Sequence, residues 1–183
     1  MLDQVLNRCR AGHRALLCLL IATMMLAANC AWAWPAVAAR SWPSAVIQAQ
    51  ALPEQPLEPL AIRPAEGGKA RMFRVEVARS HEARSMGLMF RSDLDADRGM
   101  LFVFPEGSQP TMWMRNTYVP LDMLFLDAEG VVVDIAADTV PLTDTPIGSK
   151  HAARAVLELN AGTARLLGIR PGDTVVHAEF PLD

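Results

Sequence analysis

The stretch LDMLFLDAEGVVVDIAA, Leu121–Ala137, holds two apolar runs, Leu121–Leu126 and Val131–Ala137, around Asp127-Ala128-Glu129-Gly130. Asp in the first and Gly in the last place suit a type I turn. The stretch therefore predicts a β-hairpin. Upstream it overlaps MWMRNTYVPLDMLF, Met112–Phe125, where Trp113, Arg115, Asn116 and Asp122 interrupt an otherwise apolar run. A run that apolar belongs in a core, and an unpartnered charge buried there costs several kcal/mol. These groups must satisfy one another or line a site.

Further strands are expected on both sides. Met72–Val77 alternates, with Phe73, Val75 and Val77 on one face and Arg74 and Glu76 on the other. Met100–Phe104 is continuously apolar, as in a strand covered on both faces. Ala155–Leu159 and Thr174–Phe180 add two more, and Arg170-Pro171-Gly172-Asp173 reads as a type II turn. Ser80 suits the cap of a helix beginning at His81 and ending near Gly87–Phe90, with Glu82 in its first turn. Asn160 suits the cap of a second helix, Ala161–Leu167, stopped by Gly168. The sum is a mainly β (α+β) fold, an antiparallel sandwich or barrel with two short helices.

The N-terminus has another character. Arg8, Arg10 and Arg14 precede the apolar core Ala15–Ala28, and small residues follow at Ala31-Trp32-Ala33 and Ala36-Val37-Ala38. This order describes a secretory signal peptide over residues 1–38. A retained anchor is the alternative, although a spanning helix needs about 20 apolar residues and Asn29, two Trp and Pro35 interrupt this one. Cys30 matches a lipid-accepting cysteine poorly, because Asn29 precedes it. A proline-rich spacer is expected over residues 39–70 and the folded domain over 71–183. All three cysteines, Cys9, Cys18 and Cys30, lie ahead of that domain, which rules thiol chemistry out of it. A net charge of −3 gives no basic field for nucleic acid. Contact with a membrane is expected only through a retained N-terminus, and the location expected is the periplasm or outside the cell.

Four segments in series resemble the domain of unknown function 192 family. They are EARSMGLMFR (Glu82–Arg91), GMLFVFP (Gly99–Pro105), MWMRNTYVPLDMLFLDAEG (Met112–Gly130) and VLELNAGTARLLGIRPGD (Val156–Asp173). The resemblance implies a small jelly-roll-like β domain, often behind a signal peptide, with no established activity.

Arg84, Arg91, Trp113, Asn116, Asp122 and Glu158 are the candidate ligand-binding residues. Arg84, Leu88 and Arg91 share a helical face if the first helix continues past Gly87. Guanidinium groups bind carboxylate or phosphate bidentately, and an indole stacks on a sugar or planar group. The structural alternative is an Arg–Asp122 pair tying helix to sheet, with Asn116 holding a turn. Asp122 and Glu158 also form a candidate carboxylate pair for hydrolysis. Met72, Met86, Met89, Met100, Met112, Met114 and Met123 offer soft donors for Cu(I), although Met also fills irregular cores. Asp93, Asp95, Asp97 and Gly99 lack the Gly and Glu positions of a calcium hand, so a solvated acidic loop is expected. His81, His151 and His177 stand in no catalytic or metal-ligand spacing. The expectation is an exported domain that binds a small polar ligand, a saccharide or an anionic group, without a cofactor. A hydrolase acting through Asp122 and a Met/Trp-based Cu(I)-handling module are the alternatives.

Overall fold

Two apolar strands joined by a four-residue turn bury their surface against more strands or a helix, and here the hairpin is built into a sheet of seven. The computed structural model describes residues 55–180. In chain order these hold β1 (Glu58–Arg63), β2 (Arg71–Ala78), α1 (His81–Met86), β3 (Arg98–Val103), β4 (Thr111–Met112), β5 (Leu121–Leu126), β6 (Val132–Ala136), β7 (Ile147–Gly148), β8 (Ala155–Asn160), α2 (Thr163–Leu167) and β9 (Thr174–Val176). The main sheet runs β6-β5-β8-β3-β2-β1-β9, and β4 and β7 pair separately. Only β2 and β3 are parallel neighbours, with α1 in their connection. The sheet nearly closes on itself: Val131 bridges Thr174, and amide–carbonyl bonds join Val132 to Asp173 and Val175 to Gly130. This is the mainly β barrel with two short helices that the sequence predicts.

The hairpin turn forms where expected. Asp127 accepts hydrogen bonds at Oδ1 from the amides of Glu129 (3.0 Å) and Val131 (2.8 Å), the local bonding that makes Asp a turn former. Gly130 has φ of 83°, and a Cβ there would lie 2.7 Å from the Val175 carbonyl oxygen. Only glycine lets β9 approach this turn. Ser80 caps α1, accepting from the Ala83 amide at 3.0 Å.

Four expectations need correction. Glu58–Arg63, assigned to the spacer, is strand β1, paired to β2 on one side and β9 on the other. The prolines misled, but Pro59 and Pro64 lie in or beside a strand whose Leu60 and Ile62 are core residues. The last strand stops at Val176, and a turn closes with Phe180 donating its amide to His177. α1 ends at Met86, so Arg84, Leu88 and Arg91 do not share a helical face. α2 begins at Thr163 behind Gly162, not behind Asn160. Asn160 instead donates its side-chain amide to the carbonyls of Leu94 and Asp95. The N-terminal signal, the anchor alternative, the three cysteines and the spacer through residue 54 lie outside the described residues. No helix among the described residues is long and apolar enough to cross a membrane.

Strand alternation sorts the apolar residues into two layers. Leu60, Ile62, Phe73, Val75, Val77, Leu101, Leu124, Leu157, Leu159, Val175 and Phe180 form one cluster with Ala164 of α2. The opposite face of β3, β5 and β8 carries Met100, Phe102, Leu121, Met123, Phe125 and Val156. It is covered by Ala83 of α1, Leu88, Met112, Met114 and Ala153. Burial of each large side chain contributes about 1.5–3 kcal/mol, so the second layer is a core in its own right. The functional question lies within it.

Candidate functional site

One row of residues crosses the second layer from strand to strand. Glu76 of β2 stands beside Met100 of β3, Met100 beside Glu158 of β8, Glu158 beside Met123 of β5, and Met123 beside Ala136 of β6. Directly opposed side chains in antiparallel strands have Cβ atoms roughly 5 Å apart, so two thioethers flank Glu158. Both carboxylates of the row are buried, and their fates differ.

Glu76 is fully partnered. Arg91 binds it bidentately, at 2.6 Å to Oε1 and 2.8 Å to Oε2, and Oε2 also accepts from the Gln55 amide at 3.0 Å. Fork-to-fork pairing is the geometry that compensates a buried charge best. Arg91 is therefore a structural cation that ties the turn after α1 to β2. Period-two alternation puts Glu76 with Arg74 on the face opposite Phe73, Val75 and Val77. Arg91 lies across that face, and no local pattern in the sequence announces the cover.

Glu158 is 4% exposed and accepts no hydrogen bond from any described residue. Burial alone pushes its carboxyl up to about 8, because no cation or donor offsets the loss of water around the charged form. It lines a recess of about 30 Å³ together with Arg84, Met86, Met89, Met112 and Trp113. That volume suits a water or two or a bare ion. Phe102 and Thr117 also contribute, as does Gly87, whose backbone lies close enough that a Cβ would touch the Phe102 ring at 3.0 Å.

The six candidate residues thus divide evenly. Arg84, Trp113 and Glu158 meet at the recess; Arg91, Asn116 and Asp122 do not. Arg84 donates from Nη1 to the carbonyls of Arg79 (2.5 Å) and Val103 (3.0 Å) and lies 5.4 Å from the Phe104 ring centre. Trp113 is 43% exposed, with the Arg115 guanidinium 5.0 Å from its ring centre and Arg115 paired to Asp144 at 2.7 Å. Asn116 has φ of 54°, accepts the Phe90 amide at its carbonyl, and brings its side-chain amide 3.9 Å from the Met89 sulfur. It holds a turn.

Asp122 overturns both sequence readings, the open pocket and the Arg–Asp pair. It is completely buried on the face opposite Glu158, beside Leu159. Oδ1 accepts from the Asp138 amide at 2.9 Å and Oδ2 from the Ala164 amide at 2.8 Å. Its carboxylate fastens the first turn of α2 and the end of β6 to β5. The Asp122–Glu158 pair proposed for hydrolysis does not exist, since the sheet separates the two.

The methionines separate similarly. Met114 is buried, with its sulfur 3.2 Å from the Thr139 hydroxyl, and Met72 is exposed. Met86, Met89 and Met112 line the recess, with Met100 and Met123 beside Glu158 in the row. Among the other candidates, Asp97 pairs with Arg74 and Asp95 with Arg98, as in a solvated acidic loop. No group of three or more His, Asp or Glu residues arranged to hold a metal occurs among the described residues. His177 is buried, which lowers its pKa, and lies 3.4 Å from Glu58 in a network with Arg79 and Glu179. A wider open depression of about 890 Å³ lies between the β1–β2 turn and the loop before β9. Two of its polar residues are engaged within the fold: Arg71 donates to the Lys69 and Leu167 carbonyls, and Asp173 accepts from the Ala65 and Arg170 amides.

Two solved structures resemble this chain. A crystal structure from Sinorhizobium meliloti 1021, of a protein provisionally described as a transcription regulator, is 39% identical. It has a TM-score of 0.67 and matches 70% of this chain and 98% of that one. A protein of unknown function from Novosphingobium aromaticivorans DSM 12444 is 40% identical with a TM-score of 0.63, covering 66% of this chain and 85% of that one. Nothing matches among curated proteins. The model of the domain of unknown function 192 family, described as "Uncharacterized ACR", spans residues 62–177, and the chain belongs to that family.

Proposed function

We propose that this chain is an exported domain that binds a small polar species in the recess at Glu158. One observation carries the reading: a carboxyl within a core layer, without a hydrogen-bonding partner, beside an opening of about 30 Å³. Perturbed carboxyls of this kind concentrate at functional sites. The size of the recess argues against a sugar ring and for a species of one to three heavy atoms. Arg84 and the neutral Glu158 carboxyl offer donors, and Glu158 offers an acceptor or, once ionised, a charge. Export rests on the basic, apolar, small-residue order of residues 1–38. The transcription-regulator label of the Sinorhizobium protein does not transfer, because a net charge of −3 supplies no field for a phosphate backbone.

The test is a thermal-shift panel of small ions and molecules on the wild type and Glu158→Gln. The panel is formate, carbonate, ammonium, K⁺, Zn²⁺ and Ag⁺. The reading requires at least one species that raises the midpoint of the wild type and not of the variant. A panel in which the two proteins respond alike would remove the recess as a binding site. Intact mass of the protein recovered from the periplasm tests export: loss of about the first 38 residues is expected, and a full-length mass in the membrane fraction would establish an anchor.

A further inference from the structure

The open depression of about 890 Å³ between the β1–β2 turn and the loop before β9 is built differently from the recess. Its size falls within the roughly 300–1,000 Å³ of small-molecule sites, and Phe73, which lines it, belongs to the first core layer. Arg71 starts β2 and projects to the same side of the strand as Phe73, two residues on. Hydrogen bonds fix its guanidinium at the depression. Nη1 donates to the Lys69 carbonyl at 2.6 Å and Nη2 to the Leu167 carbonyl at 2.8 Å, and both acceptors belong to lining residues. Capping the end of α2 accounts for the Leu167 bond. It leaves the charge without a counter-ion, and two bonds occupy only two of the five guanidinium N–H groups. The lining carboxylates are committed elsewhere: Asp97 to Arg74, Asp173 to the Ala65 and Arg170 amides, and Glu66 to Arg170 at 3.8 Å. Among the described residues, neither Arg71 nor Lys69 pairs with a carboxylate.

We propose that the depression binds a monoanionic carboxylate carried on an apolar body, its head held by Arg71 and Lys69 and its body laid against Met72, Leu167 and Pro171. A planar guanidinium with N–H groups to spare takes a carboxylate through two parallel bonds. The lining sets Lys69, Arg71 and Arg170 against Glu66, Asp97 and Asp173. A single negative charge therefore completes Arg71, whereas a dianion is repelled by the carboxylates around it. The apolar body follows from exposure: Met72 is 64% exposed on one side, and Leu167 is half-buried at the end of α2. Covering such side chains removes apolar surface from water, which favours a hydrocarbon or an apolar residue behind the carboxylate. An aliphatic acid and the C-terminus of a peptide share that chemistry.

Isothermal titration of the full chain uses two probes, octanoate and an acetylated Ala-Ala-Leu peptide with a free C-terminus. Octanol and the amidated peptide keep the body and remove the charge; acetate keeps the charge and removes the body. One equivalent of at least one probe should bind, with its controls weaker by about tenfold or more. The tighter probe identifies the source, octanoate an aliphatic acid and the peptide a chain terminus. Arg71→Gln should weaken binding by about ten- to a hundredfold, the range of charge-assisted hydrogen bonds. Lys69→Gln and Met72→Ser, at exposed positions outside the core, should each weaken it by about threefold or more. These two variants keep the test intact if loss of the α2 cap unfolds Arg71→Gln, and a melt of each establishes that it is folded. Uncharged controls that bind as tightly as the probes overturn the site. So does binding that Lys69→Gln and Met72→Ser both retain in full, and so does the absence of saturable binding by either probe.

Discussion

Glu158→Gln separates a carboxyl kept for its chemistry from one that merely fills space. Burial raises its pKa from an ordinary 4.5 to about 8 in the folded chain. Between those values the folded state holds a proton that the unfolded state has released, so stability must fall as pH rises. Each pH unit in that window is worth about 1.4 kcal/mol. With the transitions rounded at both ends, the loss between pH 5 and pH 8 comes to roughly 3–4 kcal/mol. Gln keeps the shape and the neutral charge and does not titrate. The variant should therefore match the wild type within about 1 kcal/mol at pH 5 and exceed it by roughly 3–4 kcal/mol at pH 8. Urea melts of both proteins at pH 5, 6, 7 and 8, in the presence of a metal chelator, give the difference directly, and taking that difference cancels every other titrating group. Unchanged m-values confirm that the same surface is exposed on unfolding. Parallel stability curves would refute the reasoning, because they would mean that Glu158 ionises in the folded state as freely as in the unfolded one.

Other positions make sharper demands on stability alone. Asp122→Asn puts an N–H against one of two buried backbone amides, losing a charge-assisted bond and stranding a donor, so a loss of about 3–5 kcal/mol is expected in urea melts; a loss under 1 kcal/mol would remove its clamping role. A chain beginning at Lys69 lacks β1 and leaves β9 without its strand partner, so no cooperative thermal melt is expected; a melt matching that of the longer chain would show β1 to be dispensable. Gly99→Ala drives a Cβ into the Glu158 carbonyl oxygen and within 2.7 Å of a Leu159 methyl, and should destabilise by about 1–3 kcal/mol or more. An unchanged urea midpoint there would contradict the close approach of β3 to β8.

What the sequence disclosed follows the range of each signal. The turn at Asp127–Gly130, the caps at Ser80 and Gly168 and the alternation of Phe73, Val75 and Val77 are local, and each appears where expected. β1 was missed because proline was read as a breaker, whereas Pro59 occupies a strand whose neighbours supply the register. At the site, the sequence named Glu158, Trp113 and Arg84 and also the methionines, without joining them into one place. The union depends on β8 lying between β3 and β5 and on α1 folding over them, a fact of topology with no local trace. Asp122 was misread for a related reason. Its partners are the amides of Asp138 and Ala164, and a backbone amide looks the same in every sequence.

The seam where Val131 meets Thr174 gives the domain a timetable. β9 is the strand that joins β1 to the hairpin end of β6, so the ring stays open until β9 pairs. Until then two strand borders present unpaired amides and carbonyls, the feature by which sheets stick to one another. Among the described strands, pairing β1 with β9 closes the longest loop and so costs the most chain entropy. Three residues, Thr174–Val176, thus cover the last open border of the sheet.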